Sequence, residues 1–404
     1  MEIRAITEEE VSVYRRSMIG TFGGDPAEDP TGDDRFRALV DRSRAFAAFD
    51  RGAVVATAAT FDIALTAPGG AVLPVAGLTM VTVRPTHRRR GILRALMATF
   101  LADARGRGNA VSGLWASDSA IYGRFGYGVA TEYDSVSFGA AGLAVGGRGE
   151  RDELELVEEA DARELLPSLY ARAVARPGML ARSAAWWHHR RFTDRPDLRH
   201  GASPRRHVLA RRGGEATGYI TYRHRPEWED AVAKGAVEID EIIALDARAE
   251  TSLWQFACSV DLFPNVSWWN APVDSLLPWI VDQPRRIRRR RNDGLWLRID
   301  DPSSALAARR YPADGRLRFA VIDEAGGDGG SYELVVEGGA GRCAPTSAGA
   351  ELRVARTALG SLYLGGATAS LLARAGQIDG DAAAVARADR LFGWSQPPWC
   401  EEIF

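Results

Sequence analysis

Two short stretches hold the residues best suited to chemistry. The first is Leu78–Phe100, LTMVTVRPTHRRRGILRALMATF. A strand ends at Val83, and Arg84-Pro85 breaks it because proline offers no N–H to a ladder. Arg88-Arg89-Arg90-Gly91 then leads into a helix. Consecutive backbone N–H groups at such a loop point outward, and the helix N-terminus adds partial positive charge. The chemistry on offer is capture of an anion such as a pyrophosphate. A side chain at Gly91 would hold the anion away from the backbone. Taken alone, the loop reads more readily as a solvated turn before a core helix than as an anion site. Neither GxxxxGK[ST] nor GxGxxG is present, which disfavours a nucleotide triphosphatase or a dehydrogenase.

The second stretch is Ser117-Asp118-Ser119-Ala120-Ile121-Tyr122-Gly123-Arg124-Phe125-Gly126-Tyr127-Gly128. It reads as a short helix with an aromatic in its middle, followed by a glycine exit into a strand. By itself Tyr122 reads more readily as a core aromatic with a satisfied hydroxyl than as a reactive phenol.

The elements that must position these residues form the first of three pieces. Ala53–Phe61, Gly77–Val83 and Ala110–Ala116 read as strands, with Asp134–Phe138 as a later one. A helix from Gly91 to about Arg105 carries Ile92, Leu93, Leu96, Met97, Phe100, Leu101 and Ala104 on one stripe. Glycine-rich Gly139–Arg151 reads as a boundary. The second piece, 152–292, repeats the strand-then-helix order with Val237–Leu245 and Thr251–Val260, which suggests a diverged repeat. Its loop, Asp246–Glu250, has no glycine and carries acids where a phosphate would sit. The arginine run Arg285–Arg291 reads as a solvated connector. The third piece, 293–404, opens with the strand Leu295–Ile299 and continues as an α+β layer without a catalytic cluster.

Composition narrows the classes. A chain of 404 residues exceeds one ordinary domain. Its formal net charge of −2 argues against a dedicated nucleic-acid binder. All 51 basic residues except Lys234 are arginine, mixed among 53 acids rather than gathered in a patch. Cys258, Cys343 and Cys400 lie far apart with no CxxC pair, which excludes a zinc ribbon or disulfide framework. No apolar run reaches about 18 residues, so no membrane partner is expected. The charged start MEIRAITEEE offers no secretory signal. The expected location is the reducing cytoplasm.

The order strand, R-x-x-G loop, long helix, strand, short Tyr helix, strand resembles the GCN5-related N-acetyltransferases (GNATs). THRRRGILRA, IYGRFGYG, DGLWLRI, TALGSLYLGG and a chain ending in Phe404 narrow the resemblance to the Eis (enhanced intracellular survival) family. The similarity spans nearly the whole chain. It implies an α+β fold with tandem GNAT-like domains, the first catalytic (1–150) and the second degenerate (151–292). A sterol-carrier-protein-like α+β domain (293–404) would follow. It also implies a homohexamer.

The implied reaction is acetyl transfer from acetyl-coenzyme A to a primary amine. A lysine-like amine has a pKa of roughly 10.4, so only about one in 2,500 is neutral at pH 7. The site must therefore remove a proton, stabilise an oxyanion and protonate a leaving thiolate. In the family pattern Tyr122 takes the leaving-group role, while Tyr127 is expected to pack at the strand start. The family's base is the terminal carboxylate, here that of Phe404. A free α-carboxyl, with a pKa of roughly 3.3–3.7, is a poor base in water and would need an ordered water or a partly dry cleft. The plainer role for Phe404 is to anchor the tail in an apolar pocket.

For coenzyme A the resemblance implies three patches. Backbone groups of Val81, Thr82 and Val83 would pair with the pantetheine. Arg88, Arg89, Arg90, Gly91, Ile92, Leu93 and Arg94 would form the pyrophosphate loop and helix start. Ser117 and Asp118 would border the thiol. Family members acetylate aminoglycosides, and a polycation asks for an acidic pocket. Asp25, Asp29, Glu401 and Glu402 are the acids available, although each also reads as ordinary surface charge. His188 and His189 are neighbours on a helix and poorly placed to share a metal, so no metal is expected. The alternatives are a protein or peptide lysine acetyltransferase without antibiotic activity, and a lipid-binding scaffold.

Overall fold

A computed structural model describes residues 1–146, 149–323 and 329–404. Gly147 and Arg148, within the glycine-rich Gly139–Arg151 segment, lie outside the described residues. The chain forms two compact units. One comprises Met1–Thr131, Arg176–Ala181 and Gly294–Phe404, and the other comprises Glu132–Ala175 and Arg182–Asp293.

The first unit holds a mixed sheet. Its strand order is Glu2–Ala5, Ala45–Asp50, Ala53–Thr66, Val72–Val83, Val111–Trp115, Leu295–Ile299, Gly128–Val129. Leu180–Ala181 adds to the far end of Ala53–Thr66. The first four strands run antiparallel. Val72–Val83 and Val111–Trp115 are parallel, which demands a crossover. The helix Ile92–Gly106 supplies it. Ile92, Leu96, Met97, Phe100 and Ala104 are buried on its inner stripe, against Val55, Ala58, Ala76, Leu78 and Leu114. Leu93 and Leu101 sit at the margin of that cluster.

The same unit contains a five-stranded sheet, ordered Ala340–Pro345, Ser331–Glu337, Gly315–Ile322, Leu352–Ala355, Ile378–Gly380. Helices Pro302–Ala308, Arg356–Tyr363, Ala369–Arg374 and Ala382–Phe392 accompany it. Arg309 is 1% exposed among them. It donates to the Tyr363 carbonyl at 2.6 Å and the Phe392 carbonyl at 3.0 Å, the ends of two helices.

The second unit is built on a seven-stranded sheet, ordered Arg288–Asp293, Glu132–Gly139, Asn265–Pro272, Ala236–Ala244, Glu215–Arg225, Arg206–Arg212, Glu153–Val157.

Three sequence expectations change. The strand read as Asp134–Phe138 of the first piece belongs to the second unit's sheet, paired on both sides. The strand Leu295–Ile299, assigned to the third piece, lies inside the first sheet between Val111–Trp115 and Gly128–Val129. A strand's own residues encode its faces but not its neighbours, so neither exchange is visible locally. The arginine run is not a connector. Arg288–Asp293 is an edge strand, and Arg291 meets Asp134 at 2.7 Å and Glu132 at 3.1 Å. Exposed charges along an edge discourage pairing with other chains.

Candidate active site

The Val72–Val83 strand pairs with Val111–Trp115 only where Val75–Gly77 faces Val111–Gly113. Six more residues follow Gly77 in this strand without a partner on that side. The two parallel strands therefore splay, leaving a gap along which, among the described residues, the Val72–Val83 strand has no ladder partner on that side, so an occupant able to hydrogen-bond would fit. A β-bulge sits in the splayed part. Thr57 faces Thr82 and Ala59 faces Thr79, so Met80 and Val81 together oppose Ala58 alone. Met80 takes φ +54°, unusual for a residue with a side chain. Its carbonyl accepts the Thr57 hydroxyl at 2.7 Å. Thr82 is buried, with its hydroxyl 2.6 Å from that of Thr57, while Val81 and Val83 are half-buried. Such a bulge re-aims backbone groups, as a strand that must present amides and carbonyls to a ligand requires. The sequence reading placed Val81, Thr82 and Val83 here without foreseeing the bulge.

The Arg88–Gly91 loop follows. Arg88, Arg89, Arg90 and Arg94 are exposed, and Ile92 is buried beneath the helix. Gly91 is the N-cap of the Ile92–Gly106 helix, with φ +78° and no side-chain cap. Among the described residues, a Cβ on Gly91 would meet nothing within 4 Å. The helix thus opens onto free space with its first N–H groups uncapped, a geometry that fits a phosphate.

Beyond Val111–Trp115, Ser117 and Asp118 are exposed. The Asp118 carboxylate accepts the Ala120 N–H at 3.0 Å and so caps the single-turn helix Ser119–Tyr122. That turn carries Tyr122 into the cluster under the long helix, beside Leu78, Ile92 and Leu114. Burial first, and the Asp118 charge second, push the Tyr122 phenol up to about 12. A phenol held so high stays protonated at neutral pH and can donate. Tyr127 differs. It is fully buried, and its hydroxyl lies 2.9 Å from Ser112 Oγ.

The C-terminal segment packs against the other face of the Val72–Val83 strand. Trp399 N–H donates to the Pro177 carbonyl at 2.9 Å, and Glu401 accepts the Leu180 N–H at 3.3 Å. Glu401 and Glu402 are 5% and 3% exposed. The Phe404 ring then meets Phe61 edge-on, centroids 6.5 Å apart, and lies against Gly77. Side chains alternate along a strand, so Gly77 faces away from Ala76 and Leu78, the neighbours that share a cluster with Tyr122. Of the other acids, exposed Asp25 accepts the Ala27 N–H at 2.9 Å, and buried Asp29 pairs with Arg15 at 2.8 Å and with Arg35.

The second unit repeats the opened geometry with a different end. Ala236–Ala244 pairs in parallel with Asn265–Pro272 only from Ala236 to Ile239. Asp246–Glu250, read from sequence as a loop, is instead the cap and first turn of the helix Ala247–Ala257. The Asp246 carboxylate accepts the Ala249 N–H at 2.9 Å, and Arg212 holds it at 2.9 Å. A side-chain anion of the chain itself thus occupies this helix start.

Comparison with known proteins agrees with this architecture. Residues 2–130 and 178–299 each match a family described as an acetyltransferase (GNAT) domain, and residues 302–401 match a sterol carrier protein domain. An uncharacterized N-acetyltransferase of Streptomyces coelicolor is 38% identical over 100% of both chains. The N-acetyltransferase Eis of Mycobacterium tuberculosis is 36% identical over 80% of this chain and 79% of its own. The crystal structure of Eis1 from Mycobacterium abscessus superposes with a TM-score of 0.86 at 30% identity, covering 100% of both chains. Two GNAT domains followed by a sterol-carrier-like domain make up the fold, and the chain belongs to the Eis-like family of N-acetyltransferases.

Proposed function

We propose that this enzyme transfers an acetyl group from acetyl-coenzyme A to primary amines of a small polycation of the aminoglycoside type, at several positions, through a ternary complex. The observation that carries this reading is the splayed gap after Gly77, with an uncapped helix start beyond it and a buried phenol beside it. Backbone groups of Val81–Val83 would hold the pantetheine, and the amides at Gly91 to Leu93 the pyrophosphate, with Arg88, Arg89, Arg90 and Arg94 adding positive potential. Ser117 and Asp118 would border the thiol end.

In the reaction the neutral amine attacks the thioester carbonyl carbon. A C–N bond forms and the C–S bond breaks. The Phe404 carboxylate takes the proton lost by nitrogen, directly or through one water, and Tyr122 gives its proton to the departing sulfur. Asp25, Glu401 and Glu402 would supply negative potential for a cationic acceptor. The second GNAT domain is read as degenerate, because Asp246 fills the place of a phosphate. A homohexamer accompanies this reading.

The test is a panel of amines, including tobramycin, kanamycin and a lysine peptide, assayed by release of free thiol. Turnover of the aminoglycosides, lost in Tyr122→Phe, is the expected result. Acetylation of the peptide alone would move the enzyme to protein lysines. Turnover with no amine would overturn the reading.

A further inference from the structure

Tyr122 stands on little secondary structure. Its helix is one turn, continued by the 3-10 turn Gly123–Phe125 and ended by Gly126 at φ +83°. One helical turn has no stability of its own, so what packs on it must fix the phenol.

Two contacts do so, and both lead to one ion pair. The first is the Tyr127 ring, which meets Tyr122 edge-on with centroids 6.3 Å apart. Ser112 Oγ lies 2.9 Å from the Tyr127 hydroxyl and donates to Asp300 Oδ2 at 2.7 Å. The second is the Phe125 carbonyl, which accepts Arg298 Nη1 at 2.8 Å. Arg298 Nε donates to Asp300 Oδ1 at 2.7 Å, so one buried pair grips both the turn and the ring. Its side chains are 7% and 6% exposed.

A second pair braces the first. Arg356 Nε donates to Asp323 Oδ2 at 2.8 Å, and Arg298 Nη2 lies 3.7 Å from the same oxygen. Arg356 Nη1 donates to the Ile299 carbonyl at 2.7 Å. Two cations and two anions balance, as buried charges must. The turn is pressed close, since a Cβ on Gly126 would stand 2.4 Å from Arg298 Nη1 and 2.7 Å from Arg356 Cδ.

We propose that Arg298 and Asp300 are positioning residues for Tyr122, acting through the Phe125 carbonyl and the Ser112–Tyr127 hydroxyl pair. They arrive on and just after the Leu295–Ile299 strand, so insertion of that strand into the first sheet completes the site. The proposal rests on the reading of Tyr122 as the acid. Displacing a reacting group by about 1 Å can cost on the order of 100-fold in rate.

The test is a double-mutant cycle on the full-length enzyme. The variant Arg298→Gln/Asp300→Asn leaves no unpaired charge between these two positions. It is expected to lower kcat about 10- to 100-fold with little change in the KM for acetyl-coenzyme A. In a Tyr122→Phe background the same pair of changes is expected to lower kcat no further. An equal loss in both backgrounds overturns the positioning role while leaving Tyr122 as the acid. Undiminished turnover of Tyr122→Phe by itself overturns the acid, and the positioning role with it. If the double variant does not fold, Tyr127→Phe, which deletes one buried hydroxyl, carries the same comparison.

Discussion

The ring of Phe404 rests on Gly77, the last residue at which the Val72–Val83 strand pairs with its parallel neighbour. A Cβ on Gly77 would stand 3.1 Å from Phe404 Cε2, 3.2 Å from the Phe61 carbonyl and 3.3 Å from Ile63 Cδ1. The glycine thus leaves a seat for the Phe404 ring where the gap begins. Gly77→Val is expected to unseat the ring, lower kcat at least tenfold and leave the KM for acetyl-coenzyme A nearly unchanged. One glycine appended after Phe404 keeps the ring but moves the carboxylate, and the same loss is expected. Full activity of the extended chain would remove the carboxylate from the mechanism and leave Phe404 as an anchor.

Gly91 separates binding from folding. Its φ of +78° disfavours any side chain, yet a Cβ there meets no described atom within 4 Å. Gly91→Ala is expected to cost about 1 kcal/mol of stability through backbone strain. If the pyrophosphate sits at this helix start as proposed, the added methyl group should raise the KM for acetyl-coenzyme A considerably more than that strain implies. Thermal melting with and without coenzyme A reads both terms. An equal stabilisation of both proteins by coenzyme A would show that the phosphates bind elsewhere.

The sequence made the Arg88–Gly91 loop and the Tyr122 turn legible because each is local. The R-x-x-G spacing, the apolar stripe from Ile92 to Ala104 and the glycine exit at Gly126 carry their own geometry. What it hid is long-range. Arg298 and Asp300 lie more than 170 residues from Phe125, and nothing in RID announces a clamp on a tyrosine turn. The bulge at Met80–Val81 was equally silent, since methionine gives no hint of a left-handed backbone. The Arg288–Asp293 strand misled because four consecutive arginines suggest solvent, whereas an edge strand allows their charges to reach water while its backbone pairs.

Arg309 makes a separate stability prediction. Its guanidinium is buried, and it bonds carbonyls at the ends of the Arg356–Tyr363 and Ala382–Phe392 helices. Burial lowers its pKa. Arg309→Met keeps much of the stem but leaves helix-end carbonyls unsatisfied, at a cost of about 1–3 kcal/mol each. The melting temperature of the protein is expected to fall by several degrees. Activity measured well below the new transition should be retained, since none of these groups touches the gap. An unchanged melting temperature would mean that water or other groups satisfy the two helix ends.

His207 makes the second unit sensitive to acid. It is 4% exposed, and its Nδ1 lies 3.0 Å from the Thr221 hydroxyl. Burial, helped by the Arg205 charge, lowers its pKa from 6.5 to about 4. In the unfolded chain the imidazole takes up a proton near its ordinary value, whereas in the folded chain it resists until the pH is much lower. Between these two values the unfolded state binds more protons, so stability falls as pH drops from about 6.5 toward about 4. One pKa unit corresponds to about 1.4 kcal/mol, so the loss from this residue is about 3 kcal/mol. His207→Gln cannot titrate and can still bond Thr221. Denaturant melts from pH 7 to pH 4 should show a smaller loss for this variant than for the native protein. Parallel losses in both would mean that His207 takes its proton in the folded state as readily as in the unfolded one.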